Sequence, residues 1–151
     1  MTDANYESLV KAAELQLLEL LGKELYFPEG LLGFPNCQRY KIARFDPGDG
    51  SESPFFILES TEHNLSFTLI HPDFVAPDYE LPVSPELLIS LLAHSEKDLV
   101  PMLIVTVRDR VEDITVNLQG PLIINSVSSM AMQLVIEDYP VRHPLLQTTA
   151  Q

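Results

Sequence analysis

Apolar residues at every second position are what most constrains this chain. Leu65, Phe67 and Leu69 alternate with Ser66 and Thr68; Ile114, Val116 and Leu118 with Thr115 and Asn117; and Met132, Leu134 and Ile136 with Gln133 and Glu137. Successive side chains of a strand point to opposite faces, so each segment has one face for a core and one for water. Arg39 to Phe45, Pro54 to Glu59, Leu65 to His71, Met102 to Arg108, Ile114 to Leu118, Pro121 to Asn125 and Met132 to Asp138 are the expected strands. Turn-rich or charged segments separate them: Asp46 to Ser53, Glu62-His63-Asn64, and Asp109 to Asp113. Antiparallel pairing of neighbours is the simplest topology. The predicted fold is mainly β, a small antiparallel β-barrel-like domain.

One α-helix is expected within about 84–95. Ser84 serves as its cap, Pro85 suits its first position, and Leu87, Leu88, Leu91 and Leu92 form an apolar stripe that plugs one end of the sheet structure. The approach from His71 to Pro82 contains three prolines and reads as an extended, ordered crossing loop. At the N-terminus, Leu9, Ala13, Leu17 and Leu20 recur at helical spacing; the competing reading makes Glu14 to Leu18 an opening strand paired with Leu25 to Phe27. Between Phe27 and Pro35, two glycines and two prolines punctuate an apolar run. Pro28 and Pro35 fix φ, Gly30 and Gly33 admit positive φ, and Phe27, Leu31 and Phe34 anchor the backbone, so this is a shaped loop with a structural role.

The chain has the length of a single domain, and at 46% hydrophobic content it builds a core without metal or disulfide. It shows no apolar run long enough for a membrane span and no basic, apolar leader, so a cytoplasmic protein without membrane contact is expected. The lone Cys37 reads as a core filler in a reducing compartment. With 22 acidic against 9 basic residues and a formal net charge of −13, direct nucleic-acid binding is disfavoured by repulsion from phosphate. A basic protein is the natural complement, set against the plain reading that acidity serves solubility.

Catalytic chemistry finds no support. His63, His71, His94 and His143 lie at no zinc-site or nucleophile spacing. His71 and Asp73 are close in sequence but read as a strand end beside a turn. Asp46, Asp49 and Glu52 lack the intervening oxygen ligands of a calcium loop, and no phosphate-binding glycine motif is present. No catalytic residues, metal or cofactor are therefore expected, and a binding module is the better class. Its candidate contacts are Asp73, Phe74, Asp78 and Tyr79 in the crossing loop, and Glu137, Asp138 and Tyr139 before Pro140. The bland alternatives are tyrosine lids over the barrel and solvated carboxylates.

The stretch Phe27-Pro28-Glu29-Gly30-Leu31-Leu32-Gly33-Phe34 resembles the opening loop of the FliW family of flagellar assembly factors. Pro54 to Ser60, Leu65 to Pro72 and Asp78-Tyr79 are similar to its central block, Thr115 to Asn125 to its later one, and Gln133 and Tyr139 to its terminal strand. The resemblance spans about residues 24–145 of a single domain, 1–151. It departs from the family at Leu32, at Gly120, at Ser128 to Ala131 and over the leucine-rich residues 1–22. It implies a non-enzymatic regulator that binds the translational repressor CsrA and, alternatively, newly made flagellin. Phe27, Pro28, Gly30, Gly33, Phe34, Asn117, Pro121 and Asn125 take structural loop roles, and the protein is expected to be a monomer. The competing readings are a flagellin chaperone without an effect on CsrA, and a small hydrolase using His71 and Asp73.

Overall fold

The computed structural model describes residues 15–50 and 53–146. Its strands are β1 (Glu24–Tyr26), β2 (Arg39–Arg44), β3 (Phe55–Ser60), β4 (Ser66–Ile70), β5 (Leu99–Thr106), β6 (Thr115–Asn125), β7 (Ala131–Gln133) and β8 (His143–Pro144). They pair antiparallel in the order β1-β2-β3-β4-β5-β6-β7, with β8 on the first residues of β6. The Tyr26 amide donates to the Ser129 carbonyl at 3.0 Å and a parallel bridge joins Tyr26 to Met130, so the first strand meets the turn before the last and the sheet nearly closes on itself.

Alternation decides what enters the barrel. Tyr40 and Ile42 of β2, Phe56 and Leu58 of β3, Leu69 of β4, Met102 of β5 and Leu122 and Ile124 of β6 share one buried cluster with Leu25 and Phe27. The Phe27 and Tyr40 rings meet edge to face at 5.2 Å, a geometry that aromatic quadrupoles favour. The Tyr40 hydroxyl is buried there with no partner of good hydrogen-bond geometry, and burial, with the adjacent Cys37 thiol, raises its ionisation well above the ordinary range. The Cys37 side chain is itself buried, as a core filler would be.

Helix α1, described over residues 15–20, adds Leu17 and Leu20 to this cluster. Leu17 and Leu20 keep the helical spacing, and residues 15–18 are helix rather than strand; Leu9, Ala13 and Glu14 of the two readings lie outside the described residues.

Helix α2 (Pro85–Ser90) begins as read, with Ser84 Oγ accepting the Leu87 amide at 3.1 Å, but it ends early and lies elsewhere. Leu92 takes φ 57°, its amide returns to the Ile89 carbonyl, and the Ala93 amide reaches the Leu88 carbonyl at 2.8 Å. This is a Schellman end with leucine in the place where glycine is usual. Rather than plugging the barrel, α2 packs Leu87 and Leu91 on Leu99 and Ile123. Ile123 faces opposite to Leu122 and Ile124, so α2 covers the outside of the sheet.

The later strands also differ from expectation. The two segments read between Ile114 and Asn125 are one strand, β6, because Asn117 Oδ1 accepts the amides of Gln119 and Gly120 at 3.0 and 2.9 Å and carries the chain across the irregular middle. Strand β7 stops at Gln133 instead of Asp138, although the Leu134 and Ile136 amides still reach the Pro121 and Gln119 carbonyls. The register shift opposite Met102 and Ile104 puts extra residues into the middle of β6 and switches its faces: Val116 and Leu118 join Ile70, Val75, Leu103 and Val105 in a second cluster, whereas Leu122 and Ile124 enter the barrel. Bulges redirect side chains in this way. The second cluster lies beneath the crossing loop.

Candidate functional site

The crossing loop is shaped first by His71. Its Nδ1 accepts the Asp73 amide at 3.1 Å and starts the 3-10 turn Pro72–Phe74. His71 is buried, which lowers its pKa, while the Asp73 carboxylate, 3.6 Å from Nδ1, acts in the opposite direction. His71 and Asp73 thus form a turn cap. Phe74 projects from that turn at 45% exposure, whereas Val75 turns into the second cluster.

Further along, Tyr79 and Tyr139 stack with ring centroids 4.5 Å apart. The Tyr79 hydroxyl donates to the Leu118 carbonyl at 2.7 Å, and the Tyr139 hydroxyl accepts the Glu80 amide at 2.9 Å. Burial, with Tyr139 beside it, raises the Tyr79 pKa well above the ordinary tyrosine range, so it stays a neutral donor. Gln119 Nε2 donates to the Tyr139 carbonyl at 3.3 Å. The stack brings two distant pieces of sequence together: Asp78, Tyr79 and Glu80 from the loop, and Glu137, Asp138 and Tyr139 from the segment after β7. Asp78, Glu80, Glu137 and Asp138 are all exposed. The result is an acidic face on a roof whose aromatic rings point inward. Among the predicted contacts, Phe74 and the carboxylates Asp78, Glu137 and Asp138 are outward; Tyr79 and Tyr139 hold the roof; Asp73 faces His71. Glu80 belongs to the face but was not read from sequence; its signal is the position after Tyr79 in an acidic loop.

The opening loop is fixed from several sides. Gln38 Nε2 donates to the Pro28 carbonyl at 2.6 Å, and the Leu32 amide donates to Gln133 Oε1 at 2.8 Å. Gln133 Nε2 in turn donates to the Gly120 carbonyl at 2.9 Å, tying the loop to β6. Gly30 and Gly33 have φ of 66° and 87°. Phe27 is fully buried and Phe34 packs edge to face on Phe67 at 5.6 Å. Pro121 is buried in β6. Asn125 joins the turn before β7 to α2, donating from Nδ2 to the Leu91 carbonyl at 2.8 Å and accepting the Val127 and Ser128 amides on Oδ1.

Among the described residues, no group of three or more His, Cys, Asp or Glu is placed to hold a metal ion, and no helix is long and apolar enough to cross a membrane. Fold and surface together define a small, nearly closed antiparallel β-barrel with exposed carboxylates beside the Tyr79 and Tyr139 stack. The family model described as FliW protein matches residues 4–145. A Treponema denticola protein named flagellar assembly factor FliW is 36% identical over 141 residues, covering 91% of this chain and 88% of its own. Its counterpart from Natranaerobius thermophilus is 35% identical, with 82% of each chain covered. A crystal structure of the flagellar assembly factor FliW superposes with a TM-score of 0.75 at 28% identity, covering 84% of this chain and 88% of that one. The chain belongs to the FliW family.

Proposed function

We propose that this chain is a flagellar assembly factor that acts by binding, without catalysis: it sequesters the translational repressor CsrA and exchanges it for newly made flagellin. The observation that carries the reading is the acidic face of Asp78, Glu80, Glu137 and Asp138, held by the stacked tyrosines on a chain of net charge −13. A basic RNA-binding protein is the complement such a face selects, because opposite fields speed encounter and like charge excludes wrong partners. The names carried by the relatives support the assembly role. Both partners are met in the cytoplasm, which is where this reading places the protein.

The exchange needs mutually exclusive complexes. While flagellin is scarce the chain holds CsrA and relieves repression; when flagellin accumulates, it occupies the chain and CsrA is released. Such a coupling is a free energy between two binding events and is reciprocal. Calorimetric titration into CsrA, repeated after saturation with flagellin, tests it. Binding that flagellin abolishes is the expected result. Flagellin binding with no CsrA binding would replace the regulator by a chaperone.

A further inference from the structure

The second cluster is roofed by Tyr79 and Tyr139 over Leu103, Val116 and Leu118, but its far end is open. There, Phe45, Phe55, Thr68, Val105, Val107 and Ile114 line a concave groove of about 280 Å³ on the outer face of the sheet. Phe45 and Phe55 stand perpendicular to each other, centroids 6.4 Å apart, as its aromatic wall. Val107 is 62% exposed and Phe45 40%. Apolar side chains gathered in one concavity, rather than scattered, mark an interaction site. The space suits one or two aliphatic side chains. It is continuous with the layer that carries the acidic face.

Charge around the groove favours one kind of occupant. Asp46 follows Phe45, Asp109 lies two residues beyond Val107, and Asp113 precedes Ile114, all of them exposed. Of the basic residues in the turn between β5 and β6, Arg110 is spent on Glu112, with N–O distances of 3.0 and 2.7 Å. Arg108 remains as the counter-charge. An apolar trough with an acidic rim selects a segment with aliphatic anchors between Lys or Arg residues, and it disfavours a second copy of this chain, which carries the same acidic rim on a net charge of −13.

We infer that this groove is the anchor pocket of the protein-binding surface, receiving an aliphatic side chain from a basic segment of the partner while the neighbouring carboxylates meet its cations. The inference rests on the protein-binding reading above, with CsrA as the basic partner; the peptide titration tests the groove without it.

The test uses isotope-labelled protein and a dodecapeptide with two central leucines flanked by lysines, with the glutamate-flanked and serine-centred versions as comparisons. Saturable shifts of the Val105, Val107 and Ile114 methyls are expected with the lysine-leucine peptide alone. Val107→Asp, at an exposed position where folding is retained, is expected to weaken its binding at least about tenfold and to weaken CsrA binding likewise. Asp78→Lys with Glu137→Lys reports separately on the acidic face. Loss of CsrA binding in that variant but not in Val107→Asp would overturn the groove and keep the face; the reverse would keep the groove and overturn the face. No saturable shift up to about 1 mM peptide, or equal shifts with all three peptides, would overturn the inference. So would self-association that Val107→Asp abolishes, which would assign the groove to a second copy.

Discussion

Two glycines three residues apart do different work, and the difference is measurable. Both have positive φ, but a Cβ on Gly30 would lie 2.5 Å from the Phe34 carbonyl oxygen and 2.8 Å from Pro35 Cα, while one on Gly33 would meet nothing within 4 Å. Gly33→Ala therefore bears only the left-handed backbone cost, about 1 kcal/mol. Gly30→Ala adds a backbone clash, which the anchored loop cannot relieve, and should cost about 3 kcal/mol or more; urea unfolding of the two variants should show that ranking. His71 gives a second test. Burial makes its imidazolium less favourable in the fold than in the unfolded chain, against the smaller pull of Asp73. The unfolded chain thus takes the proton first as pH falls. This contribution to stability is complete above the ordinary histidine pKa of about 6.5 and is lost as pH drops below it toward the lowered folded value. His71→Asn keeps an acceptor for the Asp73 amide but cannot titrate; its melting temperature should fall less between about pH 7.5 and 5.5 than that of the parent.

Strand β6 shows what sequence resolves and what it leaves out. The alternation of Ile114, Val116 and Leu118 places one half correctly, and that of Leu122 and Ile124 follows from the same rule, but Gly120-Pro121 between them reads as a break. Pairing overrides it: Asn117 satisfies the Gln119 and Gly120 amides, and the Leu134 amide still finds the Pro121 carbonyl. Local turn chemistry was legible; that pairing with β5 and with Leu134 carries one strand through it was not. The same holds for α2, whose start is written in Ser84-Pro85 but whose end depends on Leu92 accepting a left-handed backbone that propensity would not assign to leucine. Asn125 secures that end, and Asn125→Ala would remove its bond to the Leu91 carbonyl and leave the Val127 and Ser128 amides without their acceptor. A loss of about 1–2 kcal/mol is expected, because the turn amides are only partly buried and the Leu91 carbonyl keeps the Ser128 hydroxyl at 3.2 Å. Chemical denaturation would measure it, and faster exchange of the Leu91, Leu92 and Ala93 amides would localise it.

For the molecule as a whole, the mainly β, barrel-like architecture was readable because alternation and turn clusters are local signals. The acidic face was half readable: its residues could be named, but its unity comes from a tyrosine stack joining positions sixty residues apart. That unity predicts how the whole molecule meets a basic partner. Charge concentrated on one face steers encounter more than the same charge spread evenly, and the effect decays within a Debye length of about 10 Å at 0.1 M salt. The association rate with CsrA, followed by stopped flow, should fall as salt rises from about 0.05 to 0.3 M. Asp78→Lys with Glu137→Lys should lower the rate at low salt by about tenfold or more and flatten its salt dependence. Glu86→Lys with Glu96→Lys changes the net charge equally, at one position in the first turn of α2 and one in the 3-10 turn before β5, in the region of a separate apolar cluster. If both pairs slowed association alike, net charge alone would be steering and the face would have no special part. A clear excess effect of the Asp78 and Glu137 pair would locate the encounter on the surface that Tyr79 and Tyr139 build.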